Sequence, residues 1–242
     1  MKADFWGELV GTAILILLGN GVVACVALRR SYGHAGGWGV ITAGWAFAVM
    51  AGVFAALAIG SNAHLNPAVT VGIAITTGNW SRVGPYIVAQ ILGAMLGSML
   101  VWLHYLPHWR DTEDSAAKLA CFCTSPAIRN TPFNLVSEII GTFVLVVIAQ
   151  FIYSTKVTPA GPVAGLGPLL VGCLVWGIGL SLGGTTGYAI NPARDFGPRV
   201  MHALLPIPGK GQSHWDYAGI PIVGPLVGAC LAGLLVRLLA AV

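Results

Sequence analysis

The sequence predicts an all-α membrane protein: six transmembrane helices plus two re-entrant half-helices, arranged as an inverted internal repeat. Three observations predict it. Of 242 residues, 56% are hydrophobic and 8% charged, with mean hydropathy +0.81; soluble domains carry about 25% charged residues. Six apolar segments have about the 20 residues that cross ~30 Å of hydrocarbon. Two shorter apolar segments each follow an Asn-Pro-Ala triplet, Asn66-Pro67-Ala68 and Asn191-Pro192-Ala193. The formal charge is only +4, with no basic cluster suited to nucleic acid.

The long segments cover roughly 4–28, 37–60, 82–105, 133–154, 164–183 and 218–241. A signal peptide would have a shorter apolar core and a small-residue cleavage site, so the first segment reads as a retained helix. The short segments, about 66–77 and 191–202, reach only half the membrane at ~1.5 Å per residue. The chain thus reads as one transmembrane channel domain, 1–242. It divides into a first repeat 1–105, a connecting loop 106–132 and a second repeat 133–242. Three spans per half is odd, so the second half must sit inverted, with the functional site at the midplane. Glu8-Leu9-Val10-Gly11-Thr12 is echoed by Glu138-Ile139-Ile140-Gly141-Thr142. Small residues four apart predict close helix packing: Gly44, Ala48 and Gly52; Gly93 and Gly97; Gly224, Gly228 and Ala232. The five cysteines lack a metal-ligand spacing and read as buried apolar residues.

Asn is a good N-cap and Pro suits the first helical position, so each triplet reads as a helix start. A capping Asn can bond an orphan amide and turn its own donors elsewhere. The stretches 60–65 and 183–190 look non-helical, and such backbone at membrane depth must be buried in protein or line a wet cavity. The carbonyls around Ala63, His64, Leu65, Gly187, Ala189 and Ile190 then form a ladder of acceptors, with Asn66 and Asn191 as central donors. The triplets also admit a reading as plain helix caps; their recurrence in matching halves favours a pore. Arg194 is the basic residue in the central part of its segment and should face water or a partner. Its five donors suit a hydroxyl-bearing solute; a structural pair with Asp195 or Glu138 is the alternative. Asp195 suits the first turn of its half-helix, and Glu8 and Glu138 suit a supporting role, bracing the re-entrant stretches. Trp45 and Tyr188 are candidates for selectivity or for core and lipid packing. Trp6, Trp80, Trp102, Trp109 and Trp215 fit interface belts. No catalytic group, metal cluster or cofactor motif accompanies these residues.

With these residues in view, the chain resembles the major intrinsic proteins, the aquaporin family, over essentially its whole length. Asn191-Pro192-Ala193-Arg194-Asp195 is similar to the aquaglyceroporin branch, where Asp follows the Arg. The stretches 103–109 and 181–188 are similar to bacterial glycerol uptake facilitators. The resemblance implies six tilted helices around one pore, two half-helices, and a homotetramer with a pore in each subunit. It implies an aromatic/arginine filter of Trp45, Gly179, Tyr188 and Arg194, with Tyr188 where Phe is usual and Gly179 where water-selective members have His. The spacing from Trp45 to Asn66 is one residue longer than the usual pattern, the extra residue falling in Ile59-Gly60-Ser61-Asn62.

The implied function is passive diffusion of glycerol and other small uncharged solutes, with water, while ions and protons are excluded. Alternatives are a channel mainly for water or undissociated acids such as lactic acid, and, in another class, an ion-coupled secondary transporter. Neither an enzyme nor a nucleic-acid binder is expected; lipid and neutral solutes are the partners. Positive charge by itself places the N-terminus outside: Arg29, Arg30, Arg110, Lys118, Arg129 and Lys210 outnumber Lys2, Arg82, Lys156 and Arg237. Cytoplasmic termini in a bacterial cell membrane follow from the resemblance alone.

Overall fold

A computed structural model describes residues 2–157, 159–163 and 165–240. The ends of the 1–242 range and residue 164, where the fifth apolar segment was expected to begin, lie outside the described residues. Every regular element described is a helix: α1 Lys2–Ala27, α2 Trp38–Ile59, α3 Pro67–Thr77, α4 Val83–His104, α5 His108–Asp111, α6 Ser115–Ala120, α7 Thr131–Ile152, α8 Leu166–Leu182, α9 Pro192–Leu204 and α10 Ile220–Ala240. The half-helices expected at 66–77 and 191–202 are α3 and α9.

Among the described residues five helices are long and apolar enough to cross a membrane, and the sixth expected segment is a shorter apolar helix. The exception is α8, with 17 residues, or ~25 Å at the helical rise. Gly165 sits in a left-handed conformation at φ 84° immediately before it, and the chain turns at Gly183 after it. Two smaller expectations also change. Cys173 is exposed on α8 rather than buried. Trp109 is buried against Phe122, donating Nε1 to Trp102 O at 2.9 Å, rather than lying in an interface belt.

The halves pack by exchange. Helix α1 lies against α2 and α4, and α7 lies against α8 and α10. The short α3 of the first half packs on α10, while α9 of the second half packs on α4. Each short helix is therefore held by a long helix of the other half. Bare backbone makes these approaches possible. A Cβ on Gly233 of α10 would lie 2.6 Å from Gly72 O of α3, and one on Gly197 of α9 would lie 2.8 Å from Ala94 Cβ of α4. The small-residue stripes read from the sequence fall at such contacts. A Cβ on Gly93 would lie 2.3 Å from Leu9 O, and one on Gly228 would lie 2.4 Å from Ile139 O. Without water in the bilayer core, close backbone packing of this kind holds helices together.

Helix ends follow local chemistry. Gly60, at φ 101°, ends α2, and the amides of Gly60 and Ser61 both bond Ala56 O. Lys210 ends α9, its Nζ donating to the carbonyls of His202, Ala203 and Leu205, each at 2.7 Å.

The packing is testable at two glycines of α4. Gly93→Ala should lower the melting temperature in detergent, by about 1–3 kcal/mol of stability. Gly84→Ala, where a Cβ meets nothing within 4 Å, should leave it unchanged or raise it.

Candidate functional site

Both triplets cap their helices and reach across to each other. Asn66 Oδ1 accepts from Ala68 N at 2.8 Å, and Asn66 Nδ2 donates to Ile190 O at 2.8 Å. Asn191 Oδ1 accepts from Ala193 N at 3.0 Å and Arg194 N at 3.2 Å, while its Nδ2 donates to Leu65 O at 2.9 Å. Each Asn thus bonds the carbonyl that precedes the other Asn. An amide NH₂ has two donors, so one N–H of each remains beyond this exchange.

The stretches before the triplets are strained in matching places. Ala63 (φ 54°) and Leu65 (φ 52°) precede Asn66; Tyr188 (φ 38°) and Ile190 (φ 42°) precede Asn191 at the same spacings. Left-handed backbone costs a non-glycine residue roughly 1–2 kcal/mol. Two buried carboxylates hold it. Glu8 Oε1 accepts from Ser61 Oγ at 2.6 Å and His64 N at 2.8 Å, and Oε2 accepts from Leu65 N at 2.7 Å. Glu138 Oε1 accepts from Thr186 Oγ1 at 2.6 Å and Ala189 N at 3.0 Å, and Oε2 accepts from Ile190 N at 2.8 Å. The shared Glu-x-x-Gly spacing now has a cause. A Cβ on Gly11 would lie 2.8 Å from Leu65 Cδ2, and one on Gly141 would lie 3.0 Å from Ile190 Cγ2. The Glu holds the loop and the Gly makes room for its apolar side chain. Glu8 has a further partner, Gln90 Nε2 at 2.7 Å, which also donates to Thr70 Oγ1.

Arg194 is buried with its guanidinium carbon 4.0 Å from the centre of the Trp45 ring. Its Nη1 donates to Phe122 O at 3.4 Å. Trp45 lies on bare backbone, since a Cβ on Gly19 would be 2.2 Å from Trp45 Cζ3. The alternative pairing of Arg194 with Asp195 is not what the described residues adopt. Asp195 takes Arg199 instead, Oδ1 accepting from Nε at 2.8 Å and Oδ2 from Nη2 at 3.0 Å, with both side chains fully buried. Thr124 N and Oγ1 also donate to Asp195, and Arg199 donates onward to the carbonyls of Thr124, Ser213 and His214. This network ties α9 to the segments on either side of it and leaves Arg194 to the cavity.

One cavity of about 550 Å³ is lined by Trp45, His64, Asn66, Tyr188, Asn191 and Arg194 together. Ala63, Leu65, Ala189 and Ile190 also line it, and it continues past Val53 and Val175 to Tyr153 and Val163. Polar groups of its lining come from the two loops, the triplets and Arg194, with Gln150 of α7 and Tyr153 after it, and apolar groups from α2, α3, α7 and α8. Pro67, Ala68, Pro192 and Ala193 are buried behind the wall as helix starts. Glu8, Glu138 and Asp195 stand behind the loops. Gly179 and Gly187 are not among the residues that line this cavity. Tyr188 fills the space beside Gly179: a Cβ there would lie 2.8 Å from Tyr188 Cζ.

Sequence reasoning missed Gly19, Trp38, Gln90 and Arg199. Arg199 had a signal, its i,i+4 spacing from Asp195. The other three had none, because each acts on a residue far away in the chain.

The fold and site define a multi-pass membrane protein built around a cavity between two half-helices. The profile of the family described as "Major intrinsic protein" matches residues 1–236, and the chain belongs to that family. It is 56% identical to a "Probable glycerol uptake facilitator protein" of Thermotoga maritima, over 94% of this chain and 95% of that one. It is 54% identical to the "Glycerol uptake facilitator protein" of Streptococcus pneumoniae, over 98% of this chain and 100% of that one. The X-ray structure of the aquaglyceroporin from Plasmodium falciparum aligns with a TM-score of 0.86 at 28% identity, covering 98% of this chain and 95% of that one.

Asp195→Asn should cost about 3–5 kcal/mol, since it leaves the buried Arg199 cation without its counterion. Asp111→Asn, which removes the exposed pair with Arg30, should cost less than about 1 kcal/mol. Thermal unfolding in detergent compares the two. Glu138→Gln replaces an oxygen that accepts a loop bond with an NH₂ donor, so solute flux should fall together with the melting temperature.

Proposed function

We propose that this chain is a passive channel for glycerol and related small uncharged solutes, with water, in the cell membrane. The observation that carries the reading is one cavity lined together by Asn66, Asn191 and Arg194 and by apolar side chains of α2, α3 and α8. A linear polyol presents both kinds of surface. Its carbon chain suits the Trp45 and Tyr188 faces. Its hydroxyls suit the free donors of Arg194, the spare Asn N–H groups and the loop carbonyls. Names carried by the relatives support glycerol as the solute.

The charge pattern supports ion exclusion. Two half-helix N-termini and an arginine make the passage positive, opposing cations and protons; aquaporins are the standing example of this effect. The assignments of Trp45, Tyr188 and Arg194 to the selectivity filter, and of both Asn residues to the pore centre, belong to this proposal. So do inverted halves divided at 106–132, cytoplasmic termini and a homotetramer. No catalytic role is assigned. A proton-coupled transporter would need carboxylates free to exchange protons. Glu8 and Glu138 are instead committed to loop amides and hydroxyls, which favours a channel.

Stopped-flow light scattering on proteoliposomes should show glycerol flux linear in gradient and without saturation. Flux equal to that of empty liposomes sinks the proposal, and saturable, ion-dependent flux supports the transporter. Arg194→Ala should raise proton leak and admit larger solutes; a variant with wild-type leak and solute range removes Arg194 from the filter.

A further inference from the structure

Asn20 is an amide enclosed in apolar surroundings. It lies on α1 and is fully buried. A polar side chain inside a membrane bundle is costly and points to a function. Its Nδ2 donates to Phe122 O at 3.3 Å, 102 residues along the chain. Its Oδ1 is buried with no partner among the described residues. An amide satisfied at one end and not at the other adds little net stability.

Phe122 O has a second donor, Arg194 Nη1 at 3.4 Å. A carbonyl oxygen has two lone pairs and serves both. The segment around it is shaped by its own bonds, since the amides of Phe122 and Cys123 both donate to Leu119 O, at 2.9 and 3.1 Å. The Phe122 ring is buried beside Trp109 and His202, at centroid distances of 5.7 and 5.4 Å. Asn20 ties the oxygen itself to α1.

Arg194 is thus held in two ways. Its guanidinium carbon lies over the Trp45 ring at 4.0 Å, which leaves the group able to turn on that ring. The N–H bonds of a guanidinium lie in its plane, so the bond to Phe122 O stops the turn. Both supports lead back to neighbouring residues of α1. Gly19 makes room for the Trp45 ring, a Cβ there lying 2.2 Å from Cζ3. Asn20, ~100° further round the helix, holds the carbonyl. Neither is among the residues that line the cavity.

We propose that Asn20 is a positioning residue for Arg194, acting through the Phe122 carbonyl. It fixes which guanidinium N–H groups are turned to the cavity, and through them the barrier to protons. The inference rests on the channel reading above and deepens it, assigning part of proton exclusion to a residue outside the wall.

The test follows proton leak in proteoliposomes loaded with a pH-sensitive dye, beside glycerol flux and thermal unfolding. Asn20→Leu keeps the branched shape and removes the donor. Phe122 O retains Arg194, so no buried group loses its last partner, and the melting temperature should match the wild type. Proton leak should rise about fivefold, the factor that one neutral hydrogen bond is worth. In an Arg194→Ala background the same substitution should add nothing, because the two residues act in series. Asn20→Ala, too short to overpack α1, should raise the leak likewise and decides the matter if Asn20→Leu does not fold. Wild-type leak in the folded variants overturns the positioning role. So does an equal rise in the Arg194→Ala background, which places the action of Asn20 elsewhere. A lowered melting temperature in Asn20→Leu together with lost glycerol flux assigns Asn20 to packing alone. In all three cases the channel stands. A wild-type protein without glycerol flux brings down the channel reading and the positioning role with it.

Discussion

Two carboxylates buried in apolar helices carry the architecture. Backbone that leaves a helix at membrane depth has no water to satisfy it. Here the loops also take left-handed turns at residues with side chains, which adds strain. Glu8 and Glu138 answer both problems together, each accepting two consecutive loop amides and one hydroxyl. Charge-assisted bonds of this kind are about twice as strong as neutral ones. The burial that makes an unpaired carboxylate costly also makes these bonds strong. The loops are therefore rigid where a cavity needs fixed polar groups.

The exchange between halves follows from the same constraint. A short helix that starts inside the bundle exposes its first amides. Each Asn satisfies its own helix through Oδ1 and the opposite loop through Nδ2. Helices α3 and α9 then lean on long helices of the opposite half, at glycines whose missing side chains permit backbone contact. Contacts across the chain thus complete both polar loops.

The residues that line the cavity are positioned by others that do not. Arg194 is free to serve the cavity because Asp195, its chain neighbour, is committed to Arg199. Trp45 reaches Arg194 because Gly19 lets the indole lie flat on α1. The position of Tyr188 depends on Gly179, Gly183 and Trp38. A change in any of these supports alters the passage without touching its wall.

Much of this was legible in the chain. Hydropathy and segment length mark the spans, because crossing hydrocarbon demands them. The repeated Asn-Pro-Ala and Glu-x-x-Gly spacings mark the loops and their braces, because capping and bracing are local or repeated patterns. Arg194 stands out because a cation amid apolar residues needs a reason. Contact between distant residues was not legible. The choice of Arg199 over Arg194 as the partner of Asp195, the bed of Gly19 under Trp45, and the seat of Tyr188 against Gly179 are all settled by packing across helices. Periodicity tells which residues share a helix face, but which faces meet, and how closely, is decided only when the whole bundle closes.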